Sequence, residues 1–123
     1  MIMSKSSILL LSLALAALLW LLNYIAIIFS LYWTTLWYDI LMHFLGGLTI
    51  GVFAAYVLRL GNIGRGFFWA VFCLAMLIGI GWEVFEYVYD LQGDKIDTAW
   101  DLVMDSLGVI IAYLLTARSR EFS

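Results

Sequence analysis

The stretch Ile8–Leu31, ILLLSLALAALLWLLNYIAIIFSL, decides the fold class, because only Ser12, Asn23 and Ser30 interrupt its apolar run. A bilayer-spanning helix needs about 20 mainly apolar residues, each rising about 1.5 Å. Three more runs meet or approach that length: Ile40–Leu58, Gly66–Ile80 and Ala99–Ala117. The third is short alone, so it is expected to continue through Trp82, Val84, Phe85, Tyr87 and Val88 despite two glutamates. Leu/Ala-rich runs of this length lack the period-2 alternation of an outer-membrane strand. With no proline anywhere, nothing forces a kink. The expectation is an all-α integral membrane protein, a four-helix up-down bundle in one domain over residues 1–123, with spans at about 7–31, 39–59, 66–89 and 97–117.

Composition supports this and narrows the functional classes. Of the 123 residues 66% are hydrophobic and 12% charged, against about 45–50% apolar and about 25% charged in soluble domains. A soluble chain this small could not cover so much apolar surface. Six Lys/Arg against nine Asp/Glu exclude a basic nucleic-acid-binding face. A single cysteine, Cys73, rules out an internal disulfide and a Cys-based zinc site; it is expected to be buried among apolar neighbours. Lys5 followed by Ala14-Leu15-Ala16 imitates a cleaved signal, but the apolar stretch outlasts a typical h-region of about 7–15 residues, so a retained helix is expected.

Orientation follows from the cations. Lys5, Arg59, Arg65, Arg118 and Arg120 all fall on one side of a four-span chain and only Lys95 on the other, which predicts cytoplasmic termini and a multi-pass protein of a bacterial inner (plasma) membrane. The opposite side receives the loops 32–38 and 90–97. There Trp33, Trp37, Trp82 and Trp100, with Tyr32, Tyr38, Tyr87 and Tyr89, make an interfacial aromatic belt.

Eight of the nine carboxylates lie between Asp39 and Asp105, all in the expected outer half. Asp39 and His43 are one turn apart on a common helix face. Glu83, Glu86 and Asp90 follow an i, i+3, i+7 stripe, and Asp97, Asp101 and Asp105 an i, i+4, i+8 stripe over about 12 Å of helix. An ionised acid at the centre of a membrane helix costs about 2.5–3.5 kcal/mol even on the lenient insertion scale. Asp39 and Asp97 also fit helix caps or first-turn acids, and Glu86 and Asp90 a wet helix end. Capping does not require both Asp101 and Asp105. Protons, a cationic ligand or a divalent metal would each balance the charge; by ligand type, magnesium, manganese, iron or zinc fits several carboxylates with one imidazole. The candidate metal ligands are Glu83, Glu86, Asp97, Asp101 and Asp105, and the candidate catalytic pair is His43 oriented by Asp39, with His43 also available as a ligand. Small-xxx-small pairs at Gly47/Gly51, Ala75/Gly79 and Gly108/Ala112 predict close helix crossings beneath the acids. Asn23 is expected to hydrogen-bond between helices. Ser106 lacks any GxSxG setting, and no phosphate-binding loop, HExxH or CxxC occurs.

The order Asp39-x3-His43-Phe44-x2-Gly47, Glu83-x2-Glu86, then Gln92-Gly93-Asp94-x2-Asp97-Thr98-x2-Asp101 resembles the YjdF-like bacterial inner-membrane proteins. The similarity runs from about Asp39 to Ala112, and its QGD-x2-DT-x2-D segment is the most specific part. A more distant likeness is to VanZ-like proteins, which pair an Asp-x3-His with an Asp-x3-Asn-x2-Gly; here Asp101-x3-Asp105-x2-Gly108 has an acid for the asparagine. The resemblance implies topology and site location and carries no assigned activity. Three functional classes therefore stand open. One is a metal-dependent enzyme acting on a lipid-linked phosphate, with membrane lipid as its partner. The second is a small ion- or proton-coupled transporter or metal-handling protein, for which a homodimer would better enclose a pathway. The third is a non-catalytic membrane subunit.

Overall fold

A computed structural model of the protein describes residues 4–60, 67–88 and 95–117. It contains four long helices, α1 (Lys5–Ile28), α3 (Leu36–Leu60), α4 (Phe67–Val88) and α5 (Lys95–Ala117), and a single-turn helix, α2 (Leu31–Thr34). All four long helices are long and apolar enough to cross a membrane. The chain is thus all-helical, and its large apolar side chains face outward: Trp20 is 69% exposed, Leu77 68% and Trp69 64%. Only lipid makes that exposure favourable.

What lies inside is small. Ala54, Ala55, Val71, Ala75 and Val109 form one buried cluster at the meeting of α3, α4 and α5. Ile8, Val52 and Ala112 join α1, α3 and α5, and Ala26, Tyr38 and Met42 join α1 to α3. Helices in lipid gain little from burying apolar surface and associate through close van der Waals packing, which small residues permit. Helix α3 is the hub, touching α1, α2, α4 and α5, and its contact with α5 is the largest.

The pairings give the direction of each helix. Ile8 at the start of α1 meets Val52 late in α3, whereas Ala26 near its end meets Tyr38. The two helices are antiparallel. Along α3 and α5, Gly47 meets Asp105 and Gly51 meets Val109 and Ala112, so these two run parallel. Phe68 meets Tyr113 edge to face while Gly79 lies beside Asp105, so α4 runs antiparallel to α5. The result is the up-down order expected of four spans, with α3 and α5 presenting their amino ends at the same end of the bundle.

Hydropathy alone carries the first span to Leu31 and leaves 32–38 as a loop; the backbone instead breaks twice. Ser30 adopts a left-handed conformation (φ 56°) and Thr35 an extended one, isolating α2 between them. The left-handed region is uncommon for a residue with a Cβ. Here it is held by polar contacts across the corner: Tyr32 Oη donates to Asn23 Oδ1 at 2.7 Å, and Tyr38 Oη donates to the Leu22 carbonyl at 2.7 Å. Asn23 thus works within the α1–α2 corner. Cys73 departs from its expected burial and is exposed on the outer face of α4. A helix apolar on every side carries no periodicity to say which face is covered.

Candidate functional site at the Asp39 end of the bundle

The α3–α5 seam sets the geometry of the site. A Cβ on Gly47 would run into the Asp105 carbonyl, and one on Gly108 would run into the Phe44 carbonyl. The two backbones are therefore in contact at this level, as the paired small-xxx-small motifs predict. His43 sits one turn above Gly47 on α3, and Asp105 lies on the facing turn of α5. Close backbones let short side chains reach across: His43 Nδ1 and Asp105 Oδ1 are 3.2 Å apart.

The other ring nitrogen faces two more carboxylates. His43 Nε2 is 3.3 Å from Asp101 Oδ2 and 3.7 Å from Asp39 Oδ1. One ligand atom each from Asp39, His43 and Asp101 can be chosen so that all lie within 4.8 Å of one another, a grouping able to hold a metal ion. The side chains of His43, Asp101 and Asp105 are 15%, 12% and 14% exposed, whereas Asp39 is 45% exposed, so the cluster opens to solvent on the Asp39 side. Glu83 reaches the same region from α4. Its two carboxylate oxygens are buried, and it lies near enough to Asp101 for their charges to interact. Asp105 also borders α4, where Gly79 leaves room: a Cβ there would stand 3.2 Å from Asp105 Oδ2.

Five of the seven residues singled out in the sequence, Asp39, His43, Glu83, Asp101 and Asp105, thus converge from three helices. The side chains of Glu86 and Asp97 lie outside the described residues, as do Asp90 and Asp94 altogether. The arrangement differs from a ring of equivalent acids. The imidazole is central, with Asp39 and Asp101 on one edge and Asp105 on the other. Gly79 was visible in the sequence only as a packing residue; its part in seating Asp105 needs the third dimension. Ser106 donates to the Leu102 carbonyl at 2.8 Å within its own helix.

Three exposed tryptophans adjoin the acids of the cluster in the chain. Trp37 precedes Asp39 by two residues, Trp82 adjoins Glu83 and Trp100 adjoins Asp101, and the three are 62%, 54% and 55% exposed. Tryptophan concentrates at the boundary between headgroups and hydrocarbon. His43, six residues beyond Trp37, lies about 9 Å deeper along α3. Burial of Tyr32, then the negative charge of Asp39, raise its phenol above the usual 10.0.

Neither the curated proteins nor the solved structures yield a match to this chain. The model of one family, described as "Predicted membrane protein (DUF2238)", matches residues 3–121. That span takes in every helix and the whole cluster, and the chain belongs to this family of multi-pass membrane proteins.

Proposed function

We propose that the protein binds a divalent cation between Asp39, Asp101 and His43 Nε2, and uses it on the phosphate of a lipid or polyprenyl carrier. The observation that carries this is the convergence, from α3 and α5, of two carboxylate oxygens and an imidazole nitrogen within 4.8 Å at the tryptophan level. Two carboxylates and one imidazole suit magnesium, manganese, iron or zinc. Three protein ligands with one accessible side leave coordination positions free, as catalytic sites do. A cation there would neutralise phosphate charge and polarise a phosphoryl oxygen.

The depth of the site favours an amphiphile over a soluble substrate, since the phosphate of a bilayer lipid lies at the same level as the Trp37, Trp82 and Trp100 rings. Conduction is the weaker reading. Beneath the cluster the α3 and α5 backbones touch at Gly47 and Gly108. No Asp, Glu, His, Lys or Arg occurs between His43 and Arg59, between Asp105 and Arg118, or between Gly66 and Trp82. The YjdF-like resemblance falls on the same Asp39-x3-His43 and Asp97-x3-Asp101 positions. The basic residues support placing this end outward in a bacterial inner membrane.

Elemental analysis of the chain, purified in detergent without chelator, tests the reading. Stoichiometric divalent metal is expected, lost in Asp101→Asn and His43→Ala. Phosphate release from detergent-solubilised lipid and polyprenyl phosphates should follow the same pattern without sealed vesicles. A wild-type protein that neither retains metal nor takes up added manganese or zinc would overturn it.

A further inference from the structure

The cation site needs only one edge of the imidazole, and the opposite edge is engaged by a carboxylate with a seat of its own. We propose that Asp105 is a positioning residue, accepting the Nδ1–H of His43 so that Nε2 is turned toward Asp39 and Asp101. This rests on the cation reading above and gives Asp105 a role distinct from the ligands.

Three observations on separate helices point the same way. Asp105 Oδ1 is 3.2 Å from Nδ1, while Asp101 Oδ2 and Asp39 Oδ1 are 3.3 and 3.7 Å from Nε2, so the two edges of the ring address different partners. A neutral imidazole carries its hydrogen on one nitrogen and a lone pair on the other, and the carboxylate that accepts the hydrogen decides which nitrogen can bind metal. On α3, the absent side chain of Gly47 lets the Asp105 backbone come into contact just below His43. On α4, Gly79 leaves the space in which Asp105 Oδ2 rests, 3.2 Å from where a Cβ would stand. Asp105 is therefore held at its backbone and confined at its carboxylate, as an orienting group must be. Its side chain is only 14% exposed, whereas Asp39 at the mouth is 45% exposed.

Gly81 provides an internal control. It lies on the same helix as Gly79, but a Cβ there meets nothing within 4 Å. Both glycine-to-alanine changes raise helix propensity alike, and only Gly79→Ala presses on Asp105.

His43 is the only histidine in the sequence, so 15N-labelled imidazole in the tag-free, full-length chain reports one site. In the zinc-free protein, at a pH high enough for the imidazole to be neutral, the hydrogen is expected on Nδ1; added zinc should shift the Nε2 resonance and leave Nδ1 protonated. Asp105→Asn keeps an acceptor but loses the charge. It should preserve that tautomer while weakening zinc binding about 10- to 100-fold, the usual effect of removing a group that orients a ligand. Asp105→Ala should mix the tautomers. Gly79→Ala should weaken zinc binding less than Asp105→Asn does, and Gly81→Ala should leave it unchanged; these two carry the comparison if an Asp105 variant does not insert. Zinc on Nδ1, wild-type affinity in Asp105→Asn, or loss as complete as in Asp101→Asn would each overturn the proposal. Wild-type protein that binds no zinc would refute the cation reading instead, and the zinc-free tautomer in Asp105→Ala would still decide the role of Asp105.

Discussion

Replacing Gly108 with alanine tests whether the α3–α5 crossing sets the site. A Cβ at this position would stand 2.5 Å from the Leu48 amide nitrogen, where real Cβ atoms keep at least 3.0 Å and ordinary contact begins at 3.4 Å. The obstacle is backbone on both sides, so no side-chain rotation relieves it. The Phe44 carbonyl stands closer still, so the helices must separate by more than about 0.5 Å to clear the floor and by more than about 0.9 Å to reach ordinary contact. If α5 moves as a body along that direction, the 3.2 Å His43–Asp105 contact opens to at least about 3.7–4.1 Å, beyond hydrogen-bonding range. Overpacking of a close-fitted contact costs about 1–3 kcal/mol. Two readings are therefore expected together: a lower thermal midpoint in detergent, and weaker zinc binding with a mixed His43 tautomer. Gly46→Ala is the control, because a Cβ there meets nothing within 4 Å. Wild-type stability and metal affinity in Gly108→Ala would refute the claim that the backbones touch and that their contact sets the reach of the site.

Two further outcomes follow from features away from the seam. Tyr32 is raised above 10.0 by burial and by Asp39, so the unfolded phenol ionises before the folded one. Its stabilising contribution is complete below pH 10.0 and is lost as pH rises through the folded value. The thermal midpoint of wild type should fall more steeply above that pH than that of Tyr32→Phe; parallel slopes would show that the phenol is not held neutral by its surroundings. Cys73 faces outward, so Cys73→Leu should change stability by no more than about 0.5 kcal/mol, as surface changes do. A loss of about 1–3 kcal/mol, the usual penalty of overpacking, would show that the residue is enclosed.

Which features the sequence discloses depends on whether their cause is local. The four long helices were legible because twenty apolar residues in a row have one solution in lipid, whatever their neighbours do. The α3–α5 crossing was partly legible, since Gly47/Gly51 and Gly108/Ala112 mark close approach without saying that each motif faces the other. Convergence of Asp39, His43, Asp101, Asp105 and Glu83 followed from up-down topology and helical spacing. Its internal order did not. Which carboxylate meets which ring nitrogen depends on shifts of an ångström between helices, and nothing in Asp101-x3-Asp105 distinguishes the two. The Ser30 corner was hidden for another reason: serine carries no signal for positive φ, and the Asn23–Tyr32 hydrogen bond that accompanies it is formed only once the chain has turned.

The direction of the helices separates acids that helix physics explains from those it does not. The amino end of a helix carries partial positive charge and its carboxyl end partial negative charge, each felt over about one turn. Because α3 and α5 are parallel, both positive ends lie at the site. Asp39, in the first turn of α3, is stabilised there without any ligand. Asp101 and Asp105, two and three turns into α5, are beyond most of that field. Glu83 lies on α4, which runs the other way, so it is not in the first turn of its helix. Its oxygens are buried, and its charge interacts with that of Asp101, another acid. Among the described side chains of the cluster, one imidazole faces several carboxylates and cannot offset them all if they are ionised together. Desolvation makes the imbalance worse toward His43 and Asp105 than at the exposed Asp39. A positive charge supplied from outside the chain between the Asp39/Asp101 pair and Nε2 would offset Asp101, an acid that capping does not explain, which is why a cation there fits this end of the bundle better than a set of independently capped helices.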